Sequence, residues 1–161
     1  MNKKHFFSGL LVCLLTFGIA GAAFAQQGQG FIKPTFGLQF GSMSSNGGSE
    51  TGIIMNTGLD FVHSSGFTIG LNALTIAPNS GGVISGAGGG IGYTYDNGKW
   101  GIGGKFMIYP FIIEAAIGLD IIGTYWVLER LGVSGLINFY KITGSGGGIV
   151  FAVGVGVSFK Y

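Results

Sequence analysis

The sequence predicts an all-β protein: a transmembrane antiparallel up-and-down β-barrel of about eight strands, following a cleaved signal peptide. Three observations carry this expectation. Segments in which apolar and small or polar residues alternate recur along the chain, and a strand shows successive side chains to opposite faces. Only 9% of residues are charged and mean hydropathy is positive, yet beyond residue 25 no charge-free apolar run reaches the roughly eighteen residues a membrane helix needs. The closing stretch Ile149–Tyr161 alternates along nearly its whole length and ends on an aromatic. A membrane chain without a helical span satisfies its backbone only as a closed barrel.

Residues 1–25 read as a secretory signal. Lys3, Lys4 and His5 form the basic start, Phe6 to Ile19 the apolar run, and Ala23-Phe24-Ala25 a small-x-small cleavage site before Gln26. A membrane anchor is the rival reading, but the run is short for a span. Cys13 leaves with the signal. Residues 26–161 then form one domain with no cysteine, hence no disulfide and no thiolate metal site. Losing Lys3 and Lys4 leaves 8 − 2 = 6 basic residues against 6 acids, so nothing in the charge points to nucleic acid.

The alternation defines each strand in turn. Phe31–Ser42 turns Ile32, Pro34, Phe36, Leu38 and Phe40 outward, with Lys33, Thr35 and Gln39 facing in. Thr51–Val62 follows the Ser- and Gly-rich loop and sends Asn56, Gly58 and Asp60 inward. Phe67–Ala77 comes after the His63–Gly66 turn, and Pro78-Asn79-Ser80-Gly81 ends it. Val83–Tyr95 puts Ile91, Tyr93 and Tyr95 out and glycines in. Asp96-Asn97-Gly98 is the clearest hairpin signal. Trp100–Tyr109 faces Lys105 and Tyr109 inward, Ile113–Gly123 faces Glu114 and Asp120 inward, and Leu131–Tyr140 faces Ser134 and Asn138 inward. The Thr124–Arg130 segment reads as a turn, although no Gly or Pro marks it. Reading Ile112–Leu131 as a membrane helix instead would bury Glu114, Asp120, Glu129 and Arg130, at about 2.5–3.5 kcal/mol for a charge near midplane.

The terminal alternation ending in Phe159 and Tyr161 resembles the closing strand of bacterial outer-membrane barrels. The resemblance implies that these two residues serve as the assembly signal, read by the barrel-assembly machinery. It also implies an outer-membrane location in contact with lipid and lipopolysaccharide. With a periplasmic N-terminus, the turns at His63–Gly66, Asp96–Lys99 and Thr124–Arg130 fall in the periplasm and the other connections outside. Outward aromatics then form two belts: Phe67, Tyr93, Tyr95, Trp100, Phe159 and Tyr161 below, and Phe40, Phe106, Phe139 and Phe151 above.

Inside, two readings stand. Glycine can simply relieve crowding opposite bulky residues on facing strands. Alternatively, Ile54, Leu74, Ile76, Met107, Tyr109, Tyr140 and Val150 make an apolar lumen mouth that contacts a small hydrophobic ligand. Polar Lys33 and Asp60 lie toward the base, and Lys105 and Asp120 near the middle. If the first external loop centres between Asn46 and Gly47, facing residues of the first two strands sum to 93 and Lys33 meets Asp60. An ion pair between them is expected, with separate solvation as its rival.

The signal, the eight alternating segments and the Val153–Tyr161 ending together resemble the OmpW-like and OmpX-like small barrels. The OmpW-like resemblance implies a conduit or pocket for small hydrophobic molecules; the OmpX-like one implies a structural or surface-interaction barrel. No cofactor is expected. Gly104-Lys105 fails as a P-loop because Phe106 stands where Ser or Thr must bind magnesium, and no residue cluster has metal-site spacing. A His-x-Ser arrangement like His63-Ser64-Ser65 occurs in lipid A deacylases, but here it sits in a periplasmic turn, so an enzyme is the remote alternative.

Overall fold

Eight antiparallel strands, each bonded to the next and the last to the first, close into a barrel in the computed structural model. The structure describes residues 30–45, 47–110, 115–143 and 147–161, so the expected signal peptide and Glu114, expected to face inward, lie outside the described residues. The strands are β1 (Gly30–Ser45), β2 (Gly48–His63), β3 (Phe67–Pro78), β4 (Ile84–Asp96), β5 (Trp100–Tyr109), β6 (Ala116–Leu128), β7 (Leu131–Ile142) and β8 (Ile149–Phe159). Among the described residues no helix is long and apolar enough to cross a membrane.

Alternation sets which side chains face out. Phe40, Trp100 and Ile102 each expose more than half of their surface, while their chain neighbours Gln39, Gly101 and Gly103 are buried. The exposed set continues round every strand and forms an apolar band far larger than a soluble monomer shows. Trp100 and Tyr125 pack with ring centroids 4.5 Å apart, which adds Tyr125 to the lower aromatic belt.

The register of the first hairpin is as the sequence predicts. Lys33 pairs with Asp60, Phe36 with Thr57, Leu38 with Met55 and Phe40 with Ile53. Both strands run longer than expected, to Ser45 and from Gly48, so the connection between them is short.

The main correction concerns strand six. It does not end at Gly123 but continues to Leu128, where Leu128 pairs with Leu131 and only Glu129 and Arg130 are left to turn. Thr124 and Trp126 face inward and are buried; Tyr125 and Val127 face out. The β-branched and aromatic residues here favour a strand, and a bulge between Trp126 and Leu128 restarts the pairing. Among the described residues no non-glycine residue has positive φ, so this turn never needed the Gly that usually marks one. Gly66 and Gly98, with φ of 90° and 85°, do occupy such positions in the other two turns at this end.

Closure rests on β1 and β8, paired from Thr35–Ser158 to Ser44–Ile149. Beyond the strand proper, Ile32 and Tyr161 exchange both backbone hydrogen bonds, at 2.9 and 3.0 Å. The Phe159 ring stands edge-on to Phe36, with centroids 6.4 Å apart. Replacing Phe159 and Tyr161 with Ala removes both rings from this seam, the Phe159–Phe36 contact included, and leaves only the backbone bonds. The double variant is expected to lose the heat-modifiable gel mobility of a folded barrel; unchanged mobility would show that the seam closes without them.

Candidate functional site in the barrel lumen

The lumen is organised in layers. We call the end carrying the β1–β2, β3–β4, β5–β6 and β7–β8 connections the mouth, and the other end the base. At the mouth Ile54, Leu74, Ile76, Met107, Tyr109, Tyr140 and Val150 come together in one cluster with Ala116 and Ala152. None of the nine exposes more than 3% of its surface. The Tyr109 and Tyr140 rings meet edge-on at 5.2 Å.

Glycine explains how these large groups fit. Met107 is the register partner of Gly90 and Gly118, and Gly118 is in turn the partner of Tyr140. A Cβ on Gly90 would lie 2.4 Å from the Met107 sulfur, one on Gly88 2.6 Å from the Tyr109 ring, and one on Gly118 2.7 Å from the Tyr140 ring. The glycine-rich inner surface of β4 is therefore filled space, as the crowding argument expects.

Beneath the mouth lies a charged layer. Lys33, Asp60, Lys105 and Asp120 are all at least 95% buried. Lys33 and Asp60 do pair, at 3.9 Å, but Asp60 has a closer partner in Lys105, whose Nζ lies 2.5 Å from Oδ1. Lys105 stands on β5 and reaches Asp60 on β2 by crossing β4 and β3. Its path runs over Gly70, where a Cβ would come within 2.8 Å of both the Lys105 stem and the Asp60 carboxylate. Asp120, although the register partner of Lys105, is held by other groups: it accepts from Asn72 and Asn138, each at 2.5 Å, and from the Tyr140 hydroxyl. The two lysines and two aspartates balance in formal charge. Each is paired or hydrogen-bonded, as burial at this depth requires.

Toward the base the polar groups are hydroxyls. Thr124, Ser134, Ser158 and Thr35 form a ladder with steps of 2.9, 2.6 and 2.9 Å across β6, β7, β8 and β1. Asp96 closes the base, accepting from Lys160 at 3.0 Å and from the Trp126 indole at 2.8 Å. The Lys160 ammonium also sits 4.2 Å above the Phe31 ring. Sequence reasoning missed this base plug because it assigned Asp96 to a turn and Trp126 to a turn segment. Extending the alternation past Gly123 would have turned Trp126 inward.

His63 accepts from the Ser65 backbone N–H at 3.1 Å and shares a 2.9 Å hydrogen bond with the Ser65 hydroxyl, the local geometry of a turn. Among the described residues no three His, Cys, Asp or Glu side chains are placed to hold a metal ion.

With this geometry in hand, the chain can be set beside known proteins. No family model matches it, and no curated protein does. Among solved structures it is similar to Neisserial surface protein A (NspA), with a TM-score of 0.65, 11% identity, and coverage of 82% of this chain and 97% of that one. The fold is that of a small outer-membrane β-barrel. The outer membrane protein OprG from Pseudomonas aeruginosa also aligns, with a TM-score of 0.45, 10% identity, and coverage of 83% of this chain and 96% of that one.

Two predictions follow from the lumen. Losing Lys105 strips Asp60 of its nearest partner, so Lys105→Met should cost about 3–5 kcal/mol of stability and Lys33→Met clearly less. Double-mutant cycles on urea unfolding in detergent should give a larger coupling for Lys105–Asp60 than for Lys33–Asp60. The reverse order would mean the crossing contact is wrong. Gln39 is fully buried and neither its Oε1 nor its Nε2 has a hydrogen-bond partner. Gln39→Met should therefore stabilise the barrel, by about 1–3 kcal/mol for each relieved group at most, read from the same unfolding curves.

Proposed function

We propose that this chain is a non-enzymatic barrel of the bacterial outer membrane, sealed along its axis, that serves the envelope as a structural or surface-interaction protein. The observation that carries the reading is the packed mouth cluster: the seven side chains that could have framed an opening bury one another instead. Below them the charged layer spans the lumen, and Asp96, Trp126 and Lys160 bridge the base. An ion entering this column would have to break buried pairs worth several kcal/mol.

Export by the signal at residues 1–25, insertion by the barrel-assembly machinery and contact with lipopolysaccharide all accord with this reading, as does the apolar outer band. One structural neighbour is named as a surface protein. At the mouth, polar groups join adjacent hairpins: Glu50 accepts the Ser80 N–H at 2.5 Å, and Asn79 donates to Thr51 at 2.9 Å. Ties of this kind between the first two hairpins suit a rigid surface better than a flexible binding loop.

A second reading, a binding pocket or narrow conduit for small hydrophobic molecules, is favoured by the apolar mouth standing over polar groups. It requires the cluster to open. Planar-bilayer recording of the refolded protein separates the two. The sealed barrel should be silent, whereas steady unit conductance that apolar solutes block would overturn it in favour of the conduit.

A further inference from the structure

We infer that the barrel carries a built-in binding site for a single water molecule, between the charged layer and the hydroxyl ladder. The site is a cavity of about 20 Å³ whose lining includes Thr35, Asn56, Asn72, Lys105, Asp120 and Asn138. One water needs about 10–15 Å³ measured this way, so the cavity takes one water and nothing much larger.

The polar groups around it are incompletely used. Asn138 is 1% exposed; its Nδ2 donates to Asp120, but its Oδ1 has no partner. Asn56 lines the same cavity at 5% exposure, with a side-chain amide able both to donate and to accept. Leaving a buried acceptor orphaned is costly, and a ligand able to donate to it recovers that cost.

Charge selects the ligand. The Asp60 and Asp120 carboxylates line the cavity and oppose an anion, while the Lys105 ammonium opposes a cation. With Lys33 the layer is already balanced, so an ion would unbalance it. A neutral molecule that both donates and accepts fits Asn138 Oδ1 and the Asn56 amide, and at this volume that molecule is water.

The water also completes a connection. Thr35 ends the hydroxyl ladder that begins at Thr124, and Asp120 begins the chain that continues through Tyr140 to Tyr109, whose hydroxyls are 3.3 Å apart. Thr35 and Asp120 line the same cavity. A water there makes the interior one hydrogen-bonded column from the base to the underside of the apolar mouth.

The test is water-selective ROE spectroscopy on the full barrel, labelled with ¹⁵N-asparagine and refolded in deuterated micelles. Dipolar cross-peaks from a long-lived water are expected at the side-chain amides of Asn56 and Asn138. Their absence with both amides resolved would overturn the site. So would shifts of these amides on adding sodium chloride or inorganic phosphate, since either would reveal an ion. Asn138→Leu should abolish the cross-peak at Asn56, and its persistence would overturn the role of Oδ1. If that variant does not fold, the unmodified protein still decides. The outcome is independent of conductance, so a conducting barrel could keep this water and a silent one could lack it.

Discussion

A strand crossing a bilayer has no water to bond its backbone, so every N–H and C=O must find a partner within the sheet. In this chain that constraint is met at one seam, where β1 meets β8 and Ile32 and Tyr161 exchange backbone hydrogen bonds. Without the seam both strands would present an open edge to lipid. Closure in turn makes the inner face a confined space that side chains must fill, and it makes each outward residue a lipid contact. The apolar band, the aromatic belts and the crowded lumen all follow from it.

Filling a narrow cylinder demands complementarity between strands that are distant in sequence. The solution here sets glycine against bulk: Gly90 against Met107, Gly118 against Tyr140, Gly70 beneath Lys105. The charged layer obeys a second demand, that no buried charge stand alone. Asp60 answers it by accepting two lysines, and Asp120 by gathering three donors from two strands. Packing and charge balance thus point the same way, toward an interior that is solid.

Much of this was legible in the sequence, for a physical reason that differs from element to element. The period-two pattern is a consequence of strand geometry and needs no neighbour, so the faces of all eight strands could be read, as could the seven mouth residues. The first hairpin was readable to the residue because its register is set by the short connection between its strands. The sixth strand was cut short because the turn after it carries none of the residues with positive φ that announce a turn.

Chain order and side-chain alternation therefore determine the strands, their two faces and the local pairing of Lys33 with Asp60. Which partner Asp60 prefers, and that Asp96 joins Lys160 and Trp126 across the base, only the closed barrel decides. Those contacts depend on how strands far apart in the chain are brought round the cylinder, and on which glycines leave a path between them. A long side chain such as Lys105 meets whatever closure places within its reach, and in this barrel that lies across the lumen, beyond its register partner Asp120.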